Sequence, residues 1–283
     1  MSIEAASTMT HVPFDRRGVI QRAMSALHVA YDLHLGLDTS ARFSISGPEG
    51  PLTATASCVR SSLRFSVHGV IAGTFAGNDL RLFDSVNQNW GFGRVYFDAS
   101  SGGLNCAAAL PIVGSEVDPL AVQWTVRHLA DAVTAVKGYA TPKFMPPTPA
   151  RTTTLADVAD AAASAGAVFQ AVHGGEMLEQ QFTEGSHSFR VQLFTAGGVI
   201  LVARGRLVPS RYVDSDDVTI GTIQRVNAAL GLGCVAIWPQ QPQPYFQGVV
   251  PLAWVDLTPA LIRNLIDETA AVMEIVDRSF PGA

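Results

Sequence analysis

The chain has 283 residues, 48% of them hydrophobic, and its 19 Lys+Arg and 24 Asp+Glu make only 15% charged, against the roughly 25% usual in soluble domains. That composition excludes a disordered chain, and no apolar run approaches the ~20 residues of a membrane-spanning helix. A net charge of −5 argues against a nucleic-acid binder, which carries a basic face.

Met1 to Thr10 lacks a basic patch followed by an apolar core, so no secretory signal is expected and residues 1–12 read as a disordered lead-in. Cys58, Cys106 and Cys234 form no metal-binding spacing and sit in strand-like stretches. Buried free thiols and a reducing, cytoplasmic setting are the expectation.

The first half, residues 13–139, opens with a helical stretch from Phe14 to Leu27. Alternating segments that read as strands follow at Val29–Leu35, Ala41–Ser46, Leu52–Cys58 and Ser62–His68. Leu80, Phe83, Val86 and Trp90 recur at helical spacing, with Asn78 as the opening cap and Gly91 as the left-handed stop. Two strands, Arg94–Asp98 and Leu104–Leu110, make a hairpin. The last helix starts at Asp118-Pro119 and carries the stripe Val122, Val126, Leu129, Val133, Val136.

Residues 140–154 hold Pro142, Pro146, Pro147 and Pro149 among threonines and read as a linker. At ~3.1 Å per residue it can reach about 45 Å, so its length does not fix how the halves dock.

The second half, 155–281, repeats the order. A helix spans Leu155–Ala165, and strands span Ala167–Val172, Met177–Phe182, His187–Phe194 and Val199–Leu207, with a tight hairpin at Gly197-Gly198. Ile220, Ile223, Val226 and Leu230 form a helix opened by Asp216 or Asp217 and stopped by Gly231. Strands at Cys234–Trp238 and Tyr245–Val250 precede a helix that starts at Thr258-Pro259, whose stripe Ile262, Ile266, Thr269, Met273, Val276 is broken only by Thr269.

The two halves superpose at a constant offset of 140: Val86-Asn87 faces Val226-Asn227, Gly91-x-Gly93 faces Gly231-x-Gly233, Pro111 faces Pro251 and Pro119 faces Pro259. An internal repeat of this kind is a duplicated domain. The expected fold class is therefore α+β, with two tandem domains of helix, antiparallel strands, helix, two strands, helix.

That order resembles the type III secretion chaperone fold. The Val-Asn…Gly-x-Gly-x-Val junction, the apolar-Pro-apolar strand end and the capped helix are similar to the YbjN family, bacterial proteins regarded as sensory-transduction regulators. The resemblance is best over 80–137 and 218–277. It implies a tendency to dimerise and to bind protein partners, and it supplies no catalytic residue. Where that family has an aromatic and a second Asn after the helix Asn, Asn87, Asn89 and Trp90 echo the pattern and the second copy keeps only Asn227.

Catalytic and cofactor motifs are weak. Both Gly-x-Gly pairs follow a helix and open a strand, the reverse of a dinucleotide loop, and read as helix stops. Asp214-Ser215-Asp216-Asp217 lacks the glycine and distal glutamate of an EF-hand and reads as a solvated turn capping the next helix. There is no GxSxG or HExxH; His128 and Asp131, three apart, read as a surface pair. Asn87 and Asn227 read either as structural amides bonding a strand backbone or as partner contacts. Trp90, Trp238 and Trp254 are candidates of the same double kind, with Tyr245, Phe246, Trp238 and Trp254 forming either a recognition patch or a core hairpin face. The expectation is a non-enzymatic protein-binding module, chaperone-like or regulatory, with no cofactor or metal and an unidentified protein partner. Its halves dock as an intramolecular pseudo-dimer, with homodimerisation also open. The alternative is a small-molecule sensor with a pocket between the halves. The shortage of surface charge itself argues that part of each half is covered.

Overall fold

The computed structural model describes residues 15–35, 39–69, 77–98, 103–114, 116–184, 187–210, 212–214, 216–238, 240 and 242–280. The expected lead-in 1–12 and Ser215 of the acidic turn lie outside them.

In the first half, α1 (Arg16–Leu27) is capped by Asp15, whose carboxylate accepts from Gly18 N. Strands β1 (Tyr31–His34), β2 (Ser40–Gly47), β3 (Gly50–Val59) and β4 (Ser62–Gly69) follow, then α2 (Gly77–Trp90), β5 (Gly93–Asp98), β6 (Gly103–Pro111) and α3 (Pro119–Lys137). The second half has α4 (Leu155–Ser164), β7 (Gln170–Val172), a single 3₁₀ turn at His173–Gly175, β8 (Met177–Glu184), β9 (His187–Ala196), β10 (Ile200–Val208), α5 (Asp217–Ala229), β11 (Cys234–Ile237), β12 (Pro244–Pro251) and α6 (Pro259–Ser279). No described helix is long and apolar enough to cross a membrane.

Each half is one antiparallel six-stranded sheet, and the two strand orders are the same: β1-β2-β3-β4-β6-β5 and β7-β8-β9-β10-β12-β11. The protein is thus α+β with two tandem domains of identical topology. Its cores follow from period-2 and period-3.6 patterning. Ala54, Ala56 and Cys58 of β3 alternate inward into the same core as Val122, Val126, Leu129, Val133 and Val136 of α3. In the second half Val191, Leu193, Leu201 and Ala203 lie beneath Leu261, Ile262, Leu265, Met273 and Val276 of α6. Thr269, the break in the α6 stripe, is fully buried and bonds Leu265 O. Its methyl fills the space a side chain would need at Gly205, where an added Cβ would lie 2.3 Å away.

Caps behave as the sequence dictates at Asp118, Asp216 and Thr258, each accepting from the first turn of its helix. Two ends differ. The second helix of the first half starts at Gly77, one residue before Asn78. Gly91 has φ +76 and closes α2, but Gly231 is not left-handed; that conformation falls on Gly233, with φ +69. The α5 end needs no glycine turn because side chains from the first half bond its free carbonyls, as described below. Gly231 is small for another reason: a Cβ there would stand 3.1 Å from Val59 O and 3.1 Å from Glu268 Oε1.

The strands distant from the other half are the exposed ones, β1 with pattern eeie and β7 with eei. Strands β6 and β12 are buried almost end to end. A one-sided antiparallel sheet alternates buried and exposed; here the second face is covered by the opposite half, with α5 packed on β5 and α2 on β11. Ala109 of β6 belongs to the core cluster of the second half, and Leu80 of α2 and Trp254, which follows β12, each pack against the cluster of the opposite half.

Candidate functional site

The helix asparagines are symmetric in structure as well as sequence. Asn87 Nδ2 donates to Val95 O at 2.9 Å and its Oδ1 accepts from Val95 N at 2.7 Å; Asn227 does the same with Val235 at 2.9 and 2.8 Å. Both are fully buried. Each amide therefore supplies the missing ladder partner of an edge strand and ties the helix to it. Neither side chain is presented to a partner.

Between the halves, β5 carries the largest fully buried charged side chain among the described residues. Arg94, 0% exposed, donates Nε to Asn227 O at 2.8 Å, Nη1 to Gly231 O at 3.1 Å and Gly233 O at 2.8 Å, and Nη2 to Leu230 O. Arg64 Nη1 adds Ala228 O at 3.0 Å and Leu230 O at 3.2 Å. Two guanidinium groups thus occupy the carbonyl end of α5, where the helix dipole is negative and the last carbonyls have no intrahelical donor. Burial, and then the Arg64 charge, lowers the Arg94 pKa to about 10, so it stays charged near neutrality. Cys234 occupies the position on β11 equivalent to Arg94, and its thiol donates to Asn87 O at 3.4 Å. Beside this seam, Asp84 accepts from Gln88 Nε2 at 2.8 Å and Ile237 N at 3.3 Å. Glu268 is 2% exposed with Arg60 at 3.9 Å. Burial raises both carboxyls, Asp84 to about 6 and Glu268 to about 7.

Trp90 is buried and donates Nε1 to His128 Nε2 at 2.9 Å. His128 is therefore not in a surface pair with Asp131; it lies in an aromatic cluster, stacked on Trp124 at 4.7 Å. Desolvation lowers its pKa to about 4, so it is neutral at pH 7, with its proton on Nδ1. Phe144 of the linker stacks on Phe92 at 4.8 Å and Trp254 meets Trp124 at 4.8 Å, so the cluster joins linker, first half and second half. Trp254 also lines a cleft of about 380 Å³ on the seam, built from matching segments of both halves such as Leu110-Pro111 and Val250-Pro251.

The expected aromatic patch is divided. Phe246 is core, Trp254 is at the seam, and only Trp238 and Tyr245 come together, ring centroids 5.2 Å apart. They belong to the larger open surface of the second half, the sheet face turned away from α6. Because side chains directly opposite share a face, the register Glu179–Gln192–Arg204–Gln247 sets one polar row across β8, β9, β10 and β12. Gln192 donates to Glu179 at 2.6 Å and Arg204 Nη2 to Gln247 Oε1 at 2.9 Å. The Arg204 guanidinium carbon lies 4.8 Å from the Trp238 centroid, 5.3 Å from Phe194 and 5.7 Å from Tyr245. Three rings so placed hold a cation by their negative faces. Around Arg204 are two adjoining clefts of about 950 Å³ and 640 Å³ that share Phe194 and Arg204; the second runs to Trp90 and to Phe144 and Met145 of the linker.

Of the sequence candidates, Asn87, Asn227 and Trp90 are thus buried in the frame, while Trp238 and Trp254 line separate clefts. Sequence reasoning did not single out Arg94, Arg64, Glu268 or Arg204. The available signal was a charged residue inside an otherwise apolar strand or helix face, as in Gly93-Arg94-Val95-Tyr96-Phe97 and Val202-Ala203-Arg204-Gly205. Among the described residues no group of three or more His, Cys, Asp or Glu could hold a metal ion. Compared with protein-family models and with curated proteins, the chain matches none.

Proposed function

We propose that the chain is a non-enzymatic binding module for protein segments, chaperone-like or regulatory and cytoplasmic, whose two halves act as an intramolecular pseudo-dimer of secretion-chaperone type. The observation that carries this is the part of the outer face of the second sheet left open among the described residues, where Trp238, Tyr245 and Phe194 surround Arg204 in the joined clefts. Rigid aromatic and arginine side chains of this kind dominate binding energy at protein interfaces. Asp84, Arg94, His128 and Glu268, whose pKa burial moves, are packed into the frame, and within the groove burial also pushes the Tyr245 phenol up.

The test is selection of a displayed random-peptide library on the whole protein, followed by titration of the enriched peptides. Trp238→Ala and Arg204→Gln are expected to weaken binding about tenfold or more each, a loss of ~1.4 kcal/mol or more, with an unchanged far-UV spectrum and thermal midpoint. No enrichment, or peptides indifferent to both substitutions, defeats the reading.

The seam cleft beside Trp254 favours a second reading, a small-molecule sensor with its pocket between the halves. A thermal-shift screen of metabolites would support it if a compound raised the midpoint of the native protein and not of Trp254→Ala. A screen without such a compound speaks against it.

A further inference from the structure

The occupant of the groove can be narrowed by its electrostatics, an inference that rests on the binding reading above. A guanidinium has five N–H donors. Arg94 uses its donors on four backbone carbonyls. Arg204 has one acceptor, Gln247 Oε1, its Nε is buried without a partner, and it makes no ion pair among the described residues. Its neighbours do not compensate. Glu179 is already engaged by Gln192, by Arg190 at 3.3 Å and by Arg206 at 3.8 Å, and Glu176, which lines the same cleft, makes no ion pair with Arg204. Rings on three sides hold the guanidinium in place, so little side-chain entropy remains to be lost when an acceptor arrives. The face therefore carries a preorganised, under-satisfied cation in a protein whose net charge is −5.

The shape of the groove sets the length of the occupant. The larger cleft draws lining residues from β8, β9, β10 and β12 and from Trp238 just after β11. Five strands at ~4.8 Å spacing span about 19 Å, the reach of roughly six extended residues. We infer that the groove takes an extended peptide segment of about that length with a carboxylate side chain near its middle. The carboxylate seats on the free donors of Arg204, with Arg206 beside it, while its neighbours pack on Trp238, Tyr245 and Phe194.

The probes are three fluorescent peptide pools of about ten residues, long enough to cover the span, with randomised flanks and a fixed central Glu, Gln or Lys. Anisotropy with the full-length protein is expected to show the Glu pool binding about tenfold tighter than the Gln pool, with Lys weakest. The preference should shrink as salt is raised, because a half-exposed ion pair is screened. Arg204→Gln is expected to abolish the Glu-over-Gln preference while retaining the weaker, charge-independent binding. Equal affinity for the Glu and Gln pools, or a preference that survives Arg204→Gln, overturns the inference and leaves the binding reading standing. Displacement of the Glu pool by an equal concentration of a single-stranded oligodeoxythymidine also overturns it, since the site would then recognise phosphate. Absence of binding by every pool defeats both.

Discussion

Replacing Arg94 by Ala is expected to cost about 3–5 kcal/mol of stability, since each buried carbonyl left without its donor costs about 1–3 kcal/mol. The carbonyls of Asn227, Gly231 and Gly233 lose the Arg94 donor in one step, and that of Leu230 is left with Arg64 alone. Arg94→Lys should recover only part of the loss, because an ammonium cannot reach carbonyls fanned around a planar fork. Urea unfolding of the three proteins measures the effect, and small-angle scattering reads its origin. If Arg94 holds the halves together, the Ala variant gains radius before either sheet melts. A variant within about 1 kcal/mol of the native midpoint, with unchanged radius, would show that apolar contacts alone hold the seam.

Glu268→Gln is expected to change stability in the opposite direction, and only above a certain pH. The Glu268 carboxyl is raised by burial from 4.5 to about 7, so the folded protein holds its proton more tightly than the unfolded chain does. The contribution of this group is therefore favourable below pH ~4.5, declines as pH rises through 4.5 to 7, and is lost above the folded value. Arg60, 3.9 Å away and half exposed, Arg94 and the Ser62 hydroxyl favour the ionised form by less than burial disfavours it, so that form is incompletely compensated. A neutral amide of the same shape avoids that cost. At pH 8 the variant should be more stable by about 2–3 kcal/mol, because each tenfold difference in proton affinity between folded and unfolded chain is worth ~1.4 kcal/mol. At pH 5 the two proteins should differ little. Thermal unfolding across that range checks the crossing, and a Gln variant less stable than native at pH 8 would mean that Glu268 works there as an anion against Arg60 and Arg94.

Much of the frame was legible in the sequence. Asp118-Pro119 and Thr258-Pro259 announce helix starts through donors that exist only within the first turn. Leu80, Phe83, Val86 and Trp90 announce a helix face, and Gly197-Gly198, at φ +60 and +68, announces a hairpin whose mirror turn requires them. All depend on residues a few positions apart, so local sequence determines them. The constant offset of 140 added that the two halves share one strand order, because a duplicated pattern repeats its order, while the order itself came from the structure.

The readings that failed involve residues distant in the chain. Gly231 reads as a left-handed stop because helix ends need donors, yet the donors there come from Arg94 and Arg64, some 137 and 166 residues away. His128 reads as a surface residue because its helix neighbour is Asp131, yet Trp90 and a linker phenylalanine enclose it. Trp238 and Trp254 look alike in sequence, but Trp238 follows β11 beside Arg204 and Trp254 follows β12 at the seam.

By itself, then, the sequence determined two α+β copies, their elements, the caps at Asp118, Asp216 and Thr258, and the presence of covered surface. Tertiary structure alone decided which surfaces are covered, that a buried guanidinium stands in the seam beside its apolar contacts, and that Arg204 stands short of acceptors in an open groove. The physical reason is that patterning and capping are local energies summed along the chain, while burial and charge compensation depend on which distant segments meet.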